Sequence, residues 1–244
     1  MRRVARILVF SPHPDDEAIG CGGTLRQHSE RGAEVRVIFL TSGEQGSHVM
    51  TPDMTRQVRE REALAAADVL GIRSVEFWHA PDGALRSSAQ LVARISRAIS
   101  GFRPDCLYTT HPAEAHADHR AAARLLLRVV RELPEPRPVL RLFEVWTPLQ
   151  HFDVLEDITG QLEAKRRAIQ CYASQCANLR FDDASTALNL YRGLMHNEER
   201  GGYAEAFLEA GEPRTRLCDG ANRAGSQGSE PSRTRGEQGR EPDV

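Results

Sequence analysis

Ala5-Arg6-Ile7-Leu8-Val9-Phe10 is followed by Ser11-Pro12-His13-Pro14-Asp15-Asp16-Glu17 and then by Gly20-Cys21-Gly22-Gly23. The first stretch is a nearly continuous apolar run rich in β-branched residues, which reads as a strand buried on both faces. It must stop at Pro12 and Pro14, because proline cannot donate to a sheet ladder. The glycines after the loop allow a following helix to lie close to the sheet. A buried strand, a charged loop and a glycine-rich turn in this order begin a βα unit.

The rest of the chain repeats the pattern. Helix is expected over 25–31 with Gly32 as its stop, over 52–70 with Gly71 as its stop, and over 90–100 with Gly101 as its stop. Strands are expected over 34–41, 73–78 and 105–109. Residues 119–133 carry a strongly amphipathic helix, 138–146 a longer strand, and 161–172 and 186–196 further helices. Alternating strands and helices imply βαβ units with right-handed crossovers. The expected fold is α/β, a Rossmann-like three-layer α/β/α domain with a mainly parallel sheet over 1–210. Sites in such folds lie outside the carboxyl ends of the strands. Three loops therefore matter: those after Phe10, after Leu40 and after Tyr108. Residues 211–244 hold almost no apolar side chains and are expected to be a disordered polar tail.

Composition narrows the functional classes. The chain has 244 residues, 32 Lys+Arg against 34 Asp+Glu, and a formal net charge of −2. That balance argues against a nucleic-acid binder. Only one of the 32 cations, Lys165, is a lysine. The five cysteines form no C-x-x-C pair, which suits free thiols in a reducing compartment and points to the cytoplasm. No segment is apolar over the ~18 residues of a membrane span, and the run after Arg6 is too short for a signal peptide.

Two short clusters carry chemistry. The first is the loop at His13, where Asp15, Asp16 and Glu17 adjoin a histidine. The second runs His111-Pro112-Ala113-Glu114-Ala115-His116-Ala117-Asp118-His119-Arg120 and ends in the amphipathic helix, which Asp118 is placed to cap. A dinucleotide site fails because Leu25 stands where the fingerprint needs its third glycine, and the carboxylates would repel a pyrophosphate. No P-loop sequence occurs. Zinc enzymes commonly use three protein ligands and leave the fourth position to water. His13, Asp16 and His119 would supply two nitrogens and one oxygen. Asp15 would be free to take a proton from water. His116 would face the substrate, with Asp118 or Glu114 orienting its ring. These donors suit Zn²⁺, with Fe²⁺, Co²⁺ or Ni²⁺ as substitutes. The constellation serves hydrolysis of an amide or ester.

Here the residues resemble the PIG-L/LmbE-like family of metal-dependent N-acetylglucosamine deacetylases. Its strand, His-Pro-Asp-Asp-Glu loop and Gly-x-Gly-Gly turn are matched by Ser11 to Leu25. Its His-x-Asp-His-Arg segment is matched by His116 to Arg120. Weaker likenesses are Thr41-Ser42-Gly43-Glu44, Arg59 with Glu62, and Ala168 to Gln175. Glu114 departs from the aspartate common in relatives. The resemblance implies zinc on His13, Asp16 and His119, Asp15 as general base, and His116, with Asp118 beside it, assisting the oxyanion and leaving amine. It implies a small-molecule substrate, an N-acetyl amino sugar joined to an inositol lipid, inositol, malate or a natural product. Arg59, Asp82 and Glu44 are the candidate substrate contacts. Two other readings use the same residues: an amidase or esterase of non-sugar substrates, and a metal-binding module without turnover. The spare carboxylate of Asp15 speaks against the latter.

Overall fold

The computed structural model describes residues 4–196, 202–210 and 222–223. Its elements in order are β1 (Arg6–Ser11), α1 (Asp16–Glu30), β2 (Glu34–Phe39), α2 (Pro52–Leu70), β3 (Ser74–Phe77), α3 (Ala89–Phe102), β4 (Cys106–Thr110) and α4 (Ala117–Glu132). They continue with β5 (Val139–Phe143), β6 (Val154–Asp157), α5 (Leu162–Cys171), α6 (Ala173–Cys176), α7 (Phe181–His196), β7 (Ala204–Ala210) and β8 (Asn222–Arg223). The sheet runs β3-β2-β1-β4-β5-β7-β6-β8. The first five strands are parallel to one another, and β7, β6 and β8 join in antiparallel pairs. This is the expected mainly parallel α/β architecture.

Alternation along each strand explains the layers. Ile7 and Val9 of β1 pack on one side with Val37 of β2 and with Ala63, Ala66 and Leu70 of α2. Leu8 and Phe10 face the other side, against Ile95 and Ile99 of α3 and Leu125 and Val129 of α4. Both faces are covered, so the strand needs apolar residues at every position. Thr51 caps α2 by accepting from the Met54 amide, Pro52 opens it, and Gly71 closes it at φ 74°.

Four elements differ from expectation. Helix α1 begins at Asp16, nine residues before the expected 25, although glycine is a poor helix former. Packing overrides propensity there: a Cβ on Gly20 would lie 2.1 Å from the Phe143 ring, and one on Gly23 2.7 Å from Ile158. Strand β5 ends at Phe143 and not at 146, because Glu144–Thr147 turn into the site. Strands β6 and β7 were not expected at all. Within 211–244, Asn222–Arg223 pair with β6, and the other residues of that expectation lie outside those described.

Two polar groups are built into this core. Lys165 of α5 is 1% exposed and donates to Glu205 Oε1 of β7 at 2.6 Å. Glu205 also accepts from the Gly23 and Thr24 amides and the Thr24 hydroxyl, so one carboxylate joins α1, α5 and β7. His28 is buried with Nε2 2.9 Å from the Tyr108 hydroxyl. Burial, reinforced by Arg141, pushes its pKa down to about 3. An unfolded histidine titrates near 6.5, so between about 3 and 6.5 the unfolded chain binds the extra proton. Stability from this group is therefore lost as pH falls through that window, by roughly 3 kcal/mol at pH 4. Urea unfolding at pH 7 and pH 4 measures it. His28→Gln is expected to be less stable at pH 7 but to have a smaller difference between the two pH values.

Candidate metal centre and active site

Strand order reverses at β1, which pairs with β2 on one side and with β4 on the other, so that β1-β2-β3 run outward in one direction and β4-β5 in the opposite one. The crevice at such a switch point is where ligands bind in open α/β sheets. The loop after β1 and the start of α1 carry His13 to Glu17, and the loop after β4 and the start of α4 carry His111 to His119. The two sequence clusters thus meet at one place.

Three donor atoms form a near-equilateral triangle. His13 Nδ1 lies 3.1 Å from Asp16 Oδ2 and 3.2 Å from His119 Nε2, and His119 Nε2 lies 3.1 Å from Asp16 Oδ2. The centre of such a triangle is about 1.8 Å from each corner, so an ion slightly above it reaches the bond lengths of about 2.0–2.2 Å that zinc takes to nitrogen and oxygen. The residues therefore fit a divalent metal. All three side chains are buried. Burial opposes charge on Asp16, yet the His119 and His13 rings hold its carboxyl well below the usual range. Burial also opposes charge on His13, but the hydrogen-bonded carboxylates of Asp118, Asp16 and Asp82 push its pKa up.

The three adjacent carboxylates point three ways. Asp16 faces the triangle. Asp15 adopts φ 123°, a strained backbone for a residue with a side chain, and turns its carboxylate to Arg59 Nη2 at 3.0 Å. Burial raises the Asp15 pKa to about 7 against the pull of Arg59. Glu17 faces away: it accepts from the Tyr172 hydroxyl and from the Asp15 amide at 3.2 Å. Burial lifts its pKa to about 8.

His116 Nδ1 accepts from the Asp118 amide at 3.2 Å, so His116, and not Asp118, caps α4. An acceptor Nδ1 leaves the neutral ring's proton on Nε2. Burial and the neighbouring His13 and His119 rings lower the His116 pKa, which favours that neutral form. One ring nitrogen from each of His13, His116 and His119 lies within 4.8 Å of the other two.

The carboxylates expected to orient His116 do other work. Asp118 Oδ2 lies 3.3 Å from His13 Nε2, and the Asp118 carboxylate accepts from the Gly83 and Leu85 amides. Glu114 accepts from the Val145 and Trp146 amides and stands 3.8 Å from His119 Nδ1. His111 is held by backbone at both nitrogens: Nε2 donates to the Thr147 carbonyl and Nδ1 accepts from the Ala113 amide.

The expected substrate contacts are also tied up by the protein. Asp82 Oδ1 is 3.1 Å from His13 Nε2, and its Oδ2 accepts from the Gln45 amide. Glu44 accepts from the Asp82 amide. Arg59 is buried and not an exposed helix residue: besides Asp15 it donates to the Pro14 and Gly43 carbonyls. Gly43 sits at φ 62°, and a Cβ there would come within 2.3 Å of the guanidinium. Asp82 and Arg59 still line the cavity of about 230 Å³ above the triangle, together with Gln175, Trp146 and Phe181. Sequence reading missed the last two. The likeness at Glu62 and at Ala168 to Gln175 did hold a signal: Ser174 donates to Glu62 through both amide and hydroxyl at 2.7 Å.

Comparison with known proteins supplies relatives for this site. The chain is 33% identical to a 1D-myo-inositol 2-acetamido-2-deoxy-alpha-D-glucopyranoside deacetylase of Kineococcus radiotolerans, with 78% of this chain and 73% of that protein covered. It is 29% identical to a probable N-acetyl-alpha-D-glucosaminyl L-malate deacetylase 2 of Bacillus cereus, covering 69% and 83%. Among solved structures, the 4-carboxy-2-hydroxymuconate hydratase GalB of Pseudomonas putida superposes with a TM-score of 0.77 at 25% identity, covering 87% and 99%. The family model described as PIG-L, GlcNAc-PI de-N-acetylase, matches residues 8–130, the span that holds both histidine clusters, and the chain belongs to that family.

Proposed function

We propose that this protein is a zinc-dependent hydrolase that removes the acetyl group from an N-acetylglucosaminyl-type conjugate. The observation that carries this reading is the triangle of His13, Asp16 and His119, with Asp15, a carboxylate outside the triangle, and His116 lining the cavity beside it. The deacetylase names of two relatives support the choice of substrate. A zinc-type ion supplies Lewis acidity, lowering the pKa of water to about 7 and polarising an acyl oxygen.

The chain's own residues do the rest. Asp15, poised near neutrality, accepts the proton of the attacking water and carries it to the departing nitrogen. Arg59 fixes the carboxylate and keeps part of it charged despite burial. His116 donates from Nε2 to the oxygen on which charge develops, and the Asp118 amide on Nδ1 holds that tautomer. Asp82 and Asp118 hold His13 through its other nitrogen. In this assignment His116 acts as a neutral donor and not as an imidazolium.

Acetate release from a panel of N-acetylglucosaminides is the test, with chelator-treated and zinc-restored protein side by side. Activity that disappears on chelation and returns with one equivalent of Zn²⁺ is expected. Acetate release at full rate without metal would refute the mechanism. The hydratase relative makes a second assay worthwhile: water addition to a conjugated enol acid, with no acetate formed, would move the reading to that chemistry.

A further inference from the structure

A second cavity lies beside the first. It has a volume of about 210 Å³ and lies between the start of α1, the loop after β5 and helix α7. Ile19, Gly20, Val145 and Leu188 make its wall largely apolar. Phe181 lines both this cavity and the one above the metal triangle. Its ring meets Trp146 edge-on at 5.5 Å between centroids, so an aromatic pair stands where the two spaces adjoin.

One residue of the wall carries a polar atom without a partner. Asn189 is 4% exposed; its Nδ2 donates to the Ala204 carbonyl at 2.8 Å, which fixes the amide, and its Oδ1 is buried without a hydrogen bond. The other polar groups there are satisfied. Ser185 donates to the Ile19 carbonyl, and Glu144 is held by Arg192. A buried acceptor left open in a native protein is uncommon and asks for an explanation. An apolar cavity with one such acceptor matches the usual build of a small-molecule site, where greasy walls give affinity and a few polar atoms give orientation.

We propose that this cavity is a binding subsite for a small alkyl or aryl group that bears one hydroxyl or N–H donor, the donor satisfying Asn189 Oδ1. Resting on the function proposed above, that group is the non-sugar part of the conjugate, which enters past Phe181 while the acetamido group lies over the metal triangle. Among the described residues the walls offer no free cation for a carboxylate: the guanidinium of Arg192 is paired with Glu144. The subsite therefore selects a neutral, apolar aglycone over an acidic one.

Binding is tested first, in the full metal-loaded chain and without any substrate. 1-Butanol and methyl propyl ether have the same number of heavy atoms, but only the alcohol has a donor. Methyl NMR spectra are expected to show saturable shifts at Ile19, Val145 and Leu188 with butanol, with a roughly millimolar Kd. The ether is expected to bind about tenfold more weakly, and Ala184→Trp at the exposed rim is expected to abolish both. Equal affinity for the two probes, or shifts that do not saturate, would overturn the site. Circular dichroism and Lys165-side methyl shifts at Ile169 check that the tryptophan variant keeps its fold; if it does not, Leu188→Phe takes its place.

Turnover then tests the assignment to substrate. The kcat/KM for 4-hydroxybutyl N-acetylglucosaminide, whose aglycone keeps a free hydroxyl donor, is expected to exceed that for the methyl glycoside about tenfold in wild type and to match it in Ala184→Trp. Equal values in wild type would remove the subsite from the substrate path. Saturable butanol binding with no deacetylation of either glycoside would instead count against the proposed function while leaving the binding site standing.

Discussion

Asp15→Asn is expected to lower kcat by about 10²–10⁴-fold while the protein keeps one metal ion per chain. The three triangle atoms belong to His13, Asp16 and His119, and the Asp15 carboxylate is turned to Arg59, so its loss leaves the metal donors in place. An asparagine is nearly isosteric and preserves the shape of the cavity but cannot accept a proton. The pH profile gives an independent reading. Burial places the Asp15 pKa at about 7, and the base works only when ionised. Wild-type kcat/KM should therefore fall as pH drops through about 7, and that limb should vanish in the residual activity of the variant. Arg59→Met removes the cation that holds the carboxyl down, so the limb should move to higher pH. Atomic emission for metal content and steady-state kinetics across pH 5–9 settle the matter. An active Asp15→Asn, or one that has lost its metal, would show that Asp15 has been given the wrong role.

His119→Ala is expected to abolish metal binding and to reduce turnover by on the order of 10³-fold or more. His119 is completely buried, and its Nε2 is one corner of the triangle, 3.1 Å and 3.2 Å from the other two. Without it two protein donors remain, too few for the three-ligand arrangement of a catalytic zinc site. Wild type should gain thermal stability when metal is added, because an ion that binds only the folded state stabilises it by mass action. The variant should show no such gain. A metal-dependent rise in Tm like that of wild type would mean that the ion sits elsewhere, for instance on His13, Asp82 and Asp118, which also bring donors within 4.8 Å of one another.

The parts of the site that could be read from sequence are those made by short segments. His13 to Glu17 and His116 to Arg120 each present several functional groups within one turn, and the parallel β-order brings their two loops together. What escaped notice, including the part that the substrate candidates Arg59 and Asp82 play in holding Asp15 and His13, depends on contacts between distant segments. Arg59 is an ordinary helix arginine until α2 lays it under the Pro14 carbonyl, 45 residues away in sequence. Asp82 looks like an Asp-Gly turn until His13 Nε2 is found 3.1 Å from it. Trp146 and Phe181 belong to no motif and meet only because the β5 loop and α7 converge. Among strands, β6 has four residues, and β7 breaks the apolar pattern with Glu205, a charge whose inward position makes sense only once Lys165 is seen opposite it. The first nine residues of α1 escaped for the converse reason. Their glycines contradict local propensity, and only the Phe143 and Ile158 side chains pressed against them explain why they stand there.

The burial of Lys165 has a practical side. It is the sole lysine among 244 residues, and its ammonium is sealed beneath β7 in contact with Glu205. Every other basic side chain is an arginine or a histidine. Succinimidyl dyes, biotin esters and amine cross-linkers thus find no lysine to modify on the folded protein. Enzymes that attach acetyl groups or small protein tags to lysine find none either. The same reagents become reporters of unfolding, because Lys165 enters reaction only when α5 and β7 part.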